Sequence, residues 1–173
     1  PDSLIEYGGI KIYTSLNIEA QSLLEDNIIN NMKNSDMQVA SIIINPNTGG
    51  VMALSGGIDY TLSQYNRALN SKRQVGSTMK PLLYYAALEN GFTASSTFTS
   101  EETTFTFNNK EAYSPHNYND TYGNKPISMA TAISYSENIY AVKTHMFLGE
   151  DTLVDMAKRV GITAELHNIF RME

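Results

Sequence analysis

The sequence predicts a mixed α/β protein of the α+β class, with an antiparallel sheet packed against helices. Two features of the sequence favour this class. Apolar stretches of strand length lie early in the chain and flank the turn sequence NPNTGG, which is typical of a hairpin. Several segments with helical spacing follow from about residue 77. With 173 residues, the chain is long enough for one compact domain with its own core, or for a piece of one.

The first part of the chain is predicted to form a strand, a helix and the hairpin. Residues 9–15 alternate apolar and polar side chains, as half-buried strands do, and Asn17 then suits a helix N-cap. Apolar residues spaced four apart continue a helix over residues 18–32. The apolar run 39–44 fits a central strand covered on both faces, paired through NPNTGG with a short strand at residues 51–54.

The rest of the chain is predicted to be mostly loop and helix. Residues 56–73 show no sustained period, and a helix then runs over about 77–90, with Gly91 as its terminator. Residues 92–122 are rich in Thr, Ser, Asn and aromatic side chains, which indicates an excursion with small strands. Pro126 can occupy the first position of a further helix. Two more helices are predicted at 139–148 and 151–160, closed by Gly149 and Gly161.

Composition and charge exclude several kinds of function. The formal net charge is −6 and Lys72-Arg73 is the longest basic cluster, so no nucleic-acid partner is expected. The absence of cysteine excludes a disulfide, a thiolate nucleophile and a cysteine-ligated zinc. The three histidines lack metal-ligand spacing, so we expect no metal and no cofactor. No apolar run approaches the roughly 18 residues that a membrane span requires. Residues 1–13 lack a targeting signal, so any anchor is expected upstream of this chain.

Ser77 and Lys80 are candidates for a nucleophile and its base. A serine hydroxyl needs a partner that takes its proton, and residues three apart on a helix have Cβ atoms about 5–6 Å apart on one face. Lysine acts as a base only when burial or a nearby positive charge lowers its pKa, and the apolar neighbours of Lys80 permit burial. Pro81 fits the first turn of a helix, which places Ser77 at a helix N-terminus, where free N–H groups can stabilise a developing oxyanion. Taken alone so short a motif is weak, and a capping serine beside a solvated lysine is the alternative interpretation.

The surroundings of this pair resemble a known family. The segment NRALNSKRQVGSTMKPLLYYAALENG is similar to the region around the active serine of penicillin-binding proteins. Ser136-Glu137-Asn138 matches the Ser-x-Asn motif of that family. The segment YSPHNY, residues 113–118, resembles the Tyr-x-Pro-x-Asn-Tyr sequence of its class A members. The opening GGIKIYTSLNIEAQ resembles the start of the class A transpeptidase domain, so the likeness covers most of residues 8–162.

The resemblance implies a role for each matched residue. Ser77 would be acylated, and Lys80 would be its base. Ser136 would relay the proton to the leaving amine, while Asn138 would hold Lys80 and the substrate amide. Residues two apart lie on opposite sides of a regular helix, so Ser136 and Asn138 can face one cleft only if the helix breaks at residues 136–138. The residues that would bind substrate are Gly76, Tyr113, Asn117 and Tyr118.

The same resemblance implies that residues 1–173 are the N-terminal portion of a transpeptidase domain. Its fold would be an incomplete beta-lactamase/transpeptidase-like fold whose C-terminal strands are missing. Residues 8–55 would supply a strand, a helix and a hairpin of the sheet, and residues 56–166 a mostly helical region with the active-site motifs. The Lys-Thr/Ser-Gly strand of the family, which binds the substrate carboxylate and supplies the second oxyanion N–H, does not occur in the sequence. We therefore expect an incomplete site, with the rest of the domain as a partner and a glycosyltransferase domain before it.

The function implied by the resemblance is peptidoglycan crosslinking by a serine D,D-transpeptidase. Its partners would be D-Ala-D-Ala stem peptides and beta-lactam antibiotics, which would bind covalently at Ser77. The resemblance implies that the enzyme would act at the extracytoplasmic face of the bacterial cytoplasmic membrane. Two alternatives stay open, namely a D,D-carboxypeptidase or serine beta-lactamase, and a non-catalytic sensor module that binds beta-lactams.

Four other residues are expected to have structural places only. Glu137 is expected to be solvated and without a role, and His145 to pack or face solvent. Tyr84 and Tyr85 are expected to pack in the core.

Overall fold

The structure is a computed structural model that describes residues 9, 11–106 and 112–164. The chain divides into two compact units, with the boundary after Arg73. Each unit has its own helices and its own two-stranded antiparallel sheet, so the α+β class predicted from the sequence is confirmed. Across the described ranges, no helix is both long and apolar enough to span a bilayer.

The first unit contains a long helix, a hairpin and a short helix, namely α1 (Ile18–Met32), β1 (Ser41–Ile44), β2 (Val51–Ser55) and α2 (Arg67–Asn70). Asn17 caps α1 as predicted, because its side chain accepts a hydrogen bond from a backbone N–H of the first turn. β1 and β2 pair antiparallel, with Ser41 opposite Ser55, which confirms the hairpin. The side chain of Gln21 on α1 both donates to and accepts from the backbone of Leu54, and this ties α1 to β2.

Two predictions for the first unit are wrong. The described part of residues 9–15 forms no strand. Ser15 reaches the Val51 carbonyl through its hydroxyl (2.8 Å), and the backbone bond to β2 comes from the N–H of Asn17 (2.9 Å). An alternating sequence becomes a strand only where its backbone forms a paired ladder. β1 is also not covered on both faces, since Ile44 is 52% exposed.

The second unit begins with a 3₁₀ turn at Gly76–Met79. Its regular elements are α3 (Lys80–Glu89), β3 (Thr97–Ser100), β4 (Lys125–Ser128), α4 (Met129–Ser134), α5 (Asn138–Leu148) and α6 (Thr152–Arg159). A second 3₁₀ turn, Tyr118–Asp120, precedes β4. The core of this unit includes Leu83 and Tyr84 of α3 and Tyr140 of α5, all almost fully buried. α3 and α5 therefore pack at its centre, and their N-terminal ends carry the two motifs.

Pro126 does not begin a helix, contrary to the prediction. It lies within β4, opposite Thr99 of β3 in the antiparallel pair. Proline lacks an N–H, so an edge strand tolerates it on the side that needs no donor. The helix begins at Met129 instead, because the hydroxyl of Ser128 accepts a hydrogen bond from the N–H of Thr131 and caps α4.

The predicted helix terminators of the second unit are confirmed. α3 ends shortly before Gly91, which has a φ of +89°, and α5 ends immediately before Gly149, which has a φ of +96°. Glycine enters this left-handed region without the steric penalty of a Cβ atom. On α3, Tyr84 packs in the core as expected, but Tyr85 is 49% exposed. Successive residues of a helix point about 100° apart, so both cannot face the core.

Candidate active site

Ser77 lies in the 3₁₀ turn that leads into α3, and its side chain is exposed. Gly76 precedes it with a φ of +53°, a left-handed conformation that favours glycine. Thr78 fixes the turn, since its N–H and its hydroxyl both donate to the carbonyl of Val75. The α-helix itself begins at Lys80, later than predicted, because the first turn is tightened to 3₁₀ geometry.

Lys80 is buried, with 4% of its surface exposed, and the turn between α4 and α5 holds its ammonium group. Its Nζ donates to the carbonyl of Ser136 (2.5 Å), to the hydroxyl of Ser136 (3.0 Å) and to Oδ1 of Asn138 (2.5 Å). Within the described part of the chain, Nζ makes no hydrogen bond to Ser77. Burial lowers the pKa of Lys80, and the negative charge of Glu137 partly opposes this by favouring the ammonium form. Burial has the larger effect, so the pKa of Lys80 is lowered, as a lysine that acts as a base requires.

The predicted helix break at residues 136–138 is confirmed. α4 ends at Ser134 and α5 begins at Asn138. Between them, Ser136 adopts a φ of +51° and Glu137 is extended. A residue other than glycine in the left-handed region costs on the order of 1–3 kcal/mol, and such residues cluster at functional sites. The turn brings the side chains of Ser136 and Asn138 together against Lys80.

Asn138 is held by the segment that matches Tyr-x-Pro-x-Asn-Tyr. Its Nδ2 donates to the carbonyl of His116 (2.6 Å), and its N–H donates to Oδ1 of Asn117 (2.8 Å). Nδ2 of Asn117 donates to the carbonyl of Thr121 (3.0 Å) and to the carboxylate of Glu137 (2.7 Å). Both polar atoms of the Asn117 side chain therefore bond protein groups, and this residue supports the Ser-x-Asn turn.

The other residues predicted to bind substrate lie in three different surroundings. Gly76 directly precedes Ser77, and a Cβ atom added there would meet no atom within 4 Å, so the space beside its backbone is open. Tyr118 is 87% exposed. Tyr113 pairs its backbone with Phe105 and packs against a small buried cluster. The predicted site residues that share one hydrogen-bond network are Lys80, Ser136, Asn138 and Asn117.

Glu137 is buried, which corrects the expectation of a solvated residue. It is 6% exposed. Its carboxylate accepts hydrogen bonds from the hydroxyl of Ser100 (2.6 Å), from Nδ2 of Asn117 (2.7 Å) and from the N–H of Tyr140. In the structure Glu137 is the N-cap of α5, but glutamate is not among the residues that favour this position, so its residue type gave no signal. Ser100 and Asn117 are 37 and 20 residues away in the sequence, so no local pattern could have revealed them.

No group of three or more His, Asp or Glu side chains among the described residues could hold a metal ion. His145 is buried on α5, and this burial lowers its pKa, so the neutral imidazole is favoured. The polar groups that converge at the N-terminal ends of α3 and α5 are thus an amine, hydroxyls, amides and one carboxylate. Such a set is suited to nucleophilic acyl transfer.

Known proteins match this chain over most of its length. A family model described as the penicillin binding protein transpeptidase domain matches residues 39–170. Penicillin-binding protein 2D of Bacillus subtilis (strain 168) is 49% identical over 164 residues, which are 94% of this chain and 24% of that protein. Penicillin-binding protein 1A of Escherichia coli (strain K12) is 33% identical over 131 residues, which are 75% of this chain and 15% of that protein. The chain spans about a quarter or less of the length of these two relatives.

A solved structure is similar as well. The crystal structure of penicillin-binding protein 1A from Haemophilus influenzae superposes with a TM-score of 0.68 and 32% sequence identity. The superposition covers 72% of this chain and 18% of that chain. The fold is therefore that of a beta-lactamase-like transpeptidase domain, and the family match includes both motifs of the site. The chain belongs to the penicillin-binding protein transpeptidase family.

Proposed function

We propose that this chain carries the acylated serine and its base for a serine D,D-transpeptidase that crosslinks peptidoglycan. Ser77 Oγ attacks the carbonyl carbon of a D-Ala-D-Ala end, an ester forms on Ser77, and the terminal D-alanine leaves through its amine. The amine of a second stem peptide then attacks the ester, forms the new peptide bond and frees the serine. A beta-lactam acylates the same hydroxyl through opening of its ring amide.

The setting of Lys80 is the observation that carries this proposal. Lys80 follows Ser77 by one turn, is almost fully buried and is bonded to the side chains of Ser136 and Asn138. A neutral amine has two N–H groups and a lone pair, so Lys80 gives up one of its three contacts when it becomes neutral, and its lone pair can then accept the proton of Ser77. Ser136 then passes a proton to the leaving nitrogen through its hydroxyl. Asn138 uses one N–H of Nδ2 on the carbonyl of His116, which leaves the second N–H for a substrate amide.

On the substrate side, we assign direct contact to Gly76 and Tyr118. Gly76 keeps the backbone beside Ser77 open, and Tyr118 exposes its ring to a bound peptide. Tyr113 and Asn117 support the site without direct contact to substrate. Tyr113 packs against a buried cluster, and Asn117 binds Asn138 and Glu137.

The 173 residues contain no Lys-Thr/Ser-Gly sequence. We propose that a further part of the domain supplies this strand, that a glycosyltransferase domain accompanies it, and that the reaction takes place on the extracytoplasmic face of the membrane.

Labelling with fluorescent penicillin tests the proposal. The chain is assayed alone and in the longest form that its gene encodes, each beside Ser77→Ala and the control Ser71→Ala, which removes a hydroxyl from a position outside the site. We expect label on the longest form and on Ser71→Ala, and none on Ser77→Ala. The chain alone should label weakly, because loss of one oxyanion-hole donor costs on the order of 10²–10³ in rate. An unlabelled wild type in its longest form would contradict the proposal.

A second assay separates the transpeptidase from a carboxypeptidase, a beta-lactamase or a sensor module. The longest form is incubated with a D-Ala-D-Ala pentapeptide and an acceptor amine, and the products are separated by mass. We expect a crosslinked product together with free D-alanine. Free D-alanine without crosslinked product would indicate a carboxypeptidase. In the penicillin assay, rapid hydrolysis of the penicilloyl ester would indicate a beta-lactamase. Stable penicillin label without turnover of the pentapeptide would indicate a sensor. Each of these three outcomes would overturn the transpeptidase assignment.

A further inference from the structure

We propose that Glu137 is a positioning residue for this reaction: its buried carboxylate holds the turn that carries Ser136 and Asn138, and it supplies the negative charge that acts on Lys80. The inference rests on the proposed function and deepens it. In the Ser-x-Asn motif, Glu137 occupies the middle position, and its side chain is buried. Its contacts join parts of the chain that are distant in sequence.

The first feature that supports this role is the burial of the carboxylate. A carboxylate with 6% exposure persists only where hydrogen-bond donors or opposite charges replace water. Glu137 has donors from the end of β3, from the segment before β4 and from the first turn of α5, namely Ser100, Asn117 and Tyr140. Hydrogen bonds to an ionised acceptor are roughly twice as strong as those between neutral groups. The carboxylate therefore fixes the α4–α5 turn against these segments.

The second feature is the fixed direction of the Ser100 hydroxyl. Ser100 is 1% exposed, and its Oγ accepts a hydrogen bond from the N–H of Gly123 (3.0 Å). Its proton is therefore directed to Glu137. A Cβ atom on Gly123 would lie 3.2 Å from Cγ2 of Ile127, so a larger residue there would require Ile127 to shift by a few tenths of an ångström. Glu137 has little room to move in such a packed setting.

The third feature is the path from Glu137 to Asn138. A carboxylate can only accept, so Glu137 requires the NH₂ group of Asn117 to face it. The oxygen of the same amide then faces the N–H of Asn138, to which it is bonded at 2.8 Å. With glutamine at position 137, an NH₂ group could face Asn117, and the hydrogen bond between the two side chains would lose its charged acceptor. The charge of Glu137, together with the carbonyl of Thr121 and the N–H of Asn138, thus holds Asn117 in this orientation and fixes Asn138 beside Lys80.

The fourth feature is electrostatic. The attraction between Glu137 and Lys80 raises the pKa that burial lowers. α3 packs against α4, α5 and α6, and α4 has no titratable side chain. The other titratable groups of these helices are Tyr84, Tyr85, Glu89, Tyr140, Lys143, His145, Asp155, Lys158 and Arg159. Of the cations among them, Lys143 lies 3.7 Å from Glu101, and Arg159 bonds Glu89 (2.6 Å) at the far end of α3. Glu137 therefore helps to set the pH at which Lys80 becomes neutral.

The pH dependence of penicillin acylation tests this inference. Glu137→Gln is compared with wild type and with Glu101→Gln, an exposed glutamate that follows Ser100 and lies outside the network. Loss of the Glu137 charge lowers the pKa of Lys80, so the neutral amine persists to lower pH and the acid limb of the rate profile moves to lower pH. The maximal rate should fall about 10- to 100-fold, since a misplacement of about 1 Å can cost 10²-fold. Glu101→Gln should change neither quantity.

A Glu137→Gln profile with an unmoved acid limb would overturn the inference, because a merely structural role changes the rate without changing the pKa of Lys80. Glu137→Asp gives the converse test, since it keeps the charge but shortens the side chain. It should lower the rate about 10-fold or more and leave the acid limb in place. If circular dichroism shows that Glu137→Gln does not fold, Glu137→Asp decides alone, and a wild-type rate overturns the inference. Failure of wild type to label overturns the proposed function instead, so the two failures are distinct.

Discussion

Lys80 joins two properties that rarely occur together in a lysine. Its ammonium group is removed from water, yet every one of its N–H donors has a protein acceptor. The acceptors offset part of the cost of burial, while the missing water still favours the neutral amine. A lysine in this setting can be held in place as a cation and can also lose its proton more easily than an exposed lysine. Both states are required of a group that accepts and returns a proton within one reaction cycle.

Lys80→Met is expected to flatten the pH dependence of stability. Because the pKa of Lys80 is lower in the folded protein than its ordinary value of about 10.4, the unfolded chain binds more protons between these two values. The free energy of unfolding therefore rises with pH across that interval. Urea unfolding at a series of pH values should show a steeper rise for wild type than for Lys80→Met. The control Lys158→Met removes an exposed positive charge. Equal slopes for wild type and Lys80→Met would refute this account of the lysine.

Single residues differ in how far the sequence could reveal them. Ser77 and Lys80 lie three positions apart in one turn, and Ser136 and Asn138 lie in a three-residue motif, so their chemistry is visible locally. The burial of Glu137 depends on Ser100 and Asn117, which reach it only after folding. A charged residue in a polar stretch is far more often solvated, and the sequence alone therefore favoured the wrong interpretation.

At the scale of elements, the site depends on two helix starts that meet. α3 begins at Lys80 after a 3₁₀ turn, and α5 begins at Asn138 after the turn that contains Ser136. The two helices pack through buried side chains, with the rings of Tyr84 and Tyr140 at 6.0 Å between centroids. The packing of the helices thus sets the distance between the serine turn and the Ser-x-Asn turn.

Leu83→Ala should weaken this packing. Leu83 is fully buried on α3, and a leucine truncated to alanine in a core costs about 2–5 kcal/mol. Leu88→Ala is the matched control, because Leu88 lies on the same helix and is 48% exposed. Its truncation should change the free energy of unfolding by about 0.5 kcal/mol or less. Chemical unfolding followed by circular dichroism measures both, and similar losses for the two variants would contradict the described core.

Elements with local signals were predicted correctly from the sequence, whereas two segments whose structure depends on backbone pairing were not. Asn17 as a cap, and Gly91 and Gly149 as terminators, act within one helical turn, and the structure places each of them as predicted. Pro126 is compatible with a helix start and also with an edge strand. In the structure it lies opposite Thr99 in an antiparallel pair, so it belongs to a strand. The strand predicted at residues 9–15 failed for the converse reason, since its described part has no backbone ladder.

At the scale of the whole molecule, the proposed catalytic residues lie in one of the two compact units. The family match begins within the first unit and continues to residue 170, whereas all four proposed catalytic residues lie after the boundary at Arg73. The sequence-based division at residue 55 stays a prediction. The chemistry proposed for the chain can therefore be examined by changes confined to the second unit.

Mapping the acylated residue distinguishes Ser77 from every other nucleophile of the chain. The longest form that the gene encodes is reacted with benzylpenicillin and digested, and the modified residue is located by tandem mass spectrometry. The account predicts a penicilloyl ester on Ser77, no adduct on Ser136, and loss of the adduct in Ser77→Ala. An ester on any other residue, or an adduct of equal yield in Ser77→Ala, would contradict it.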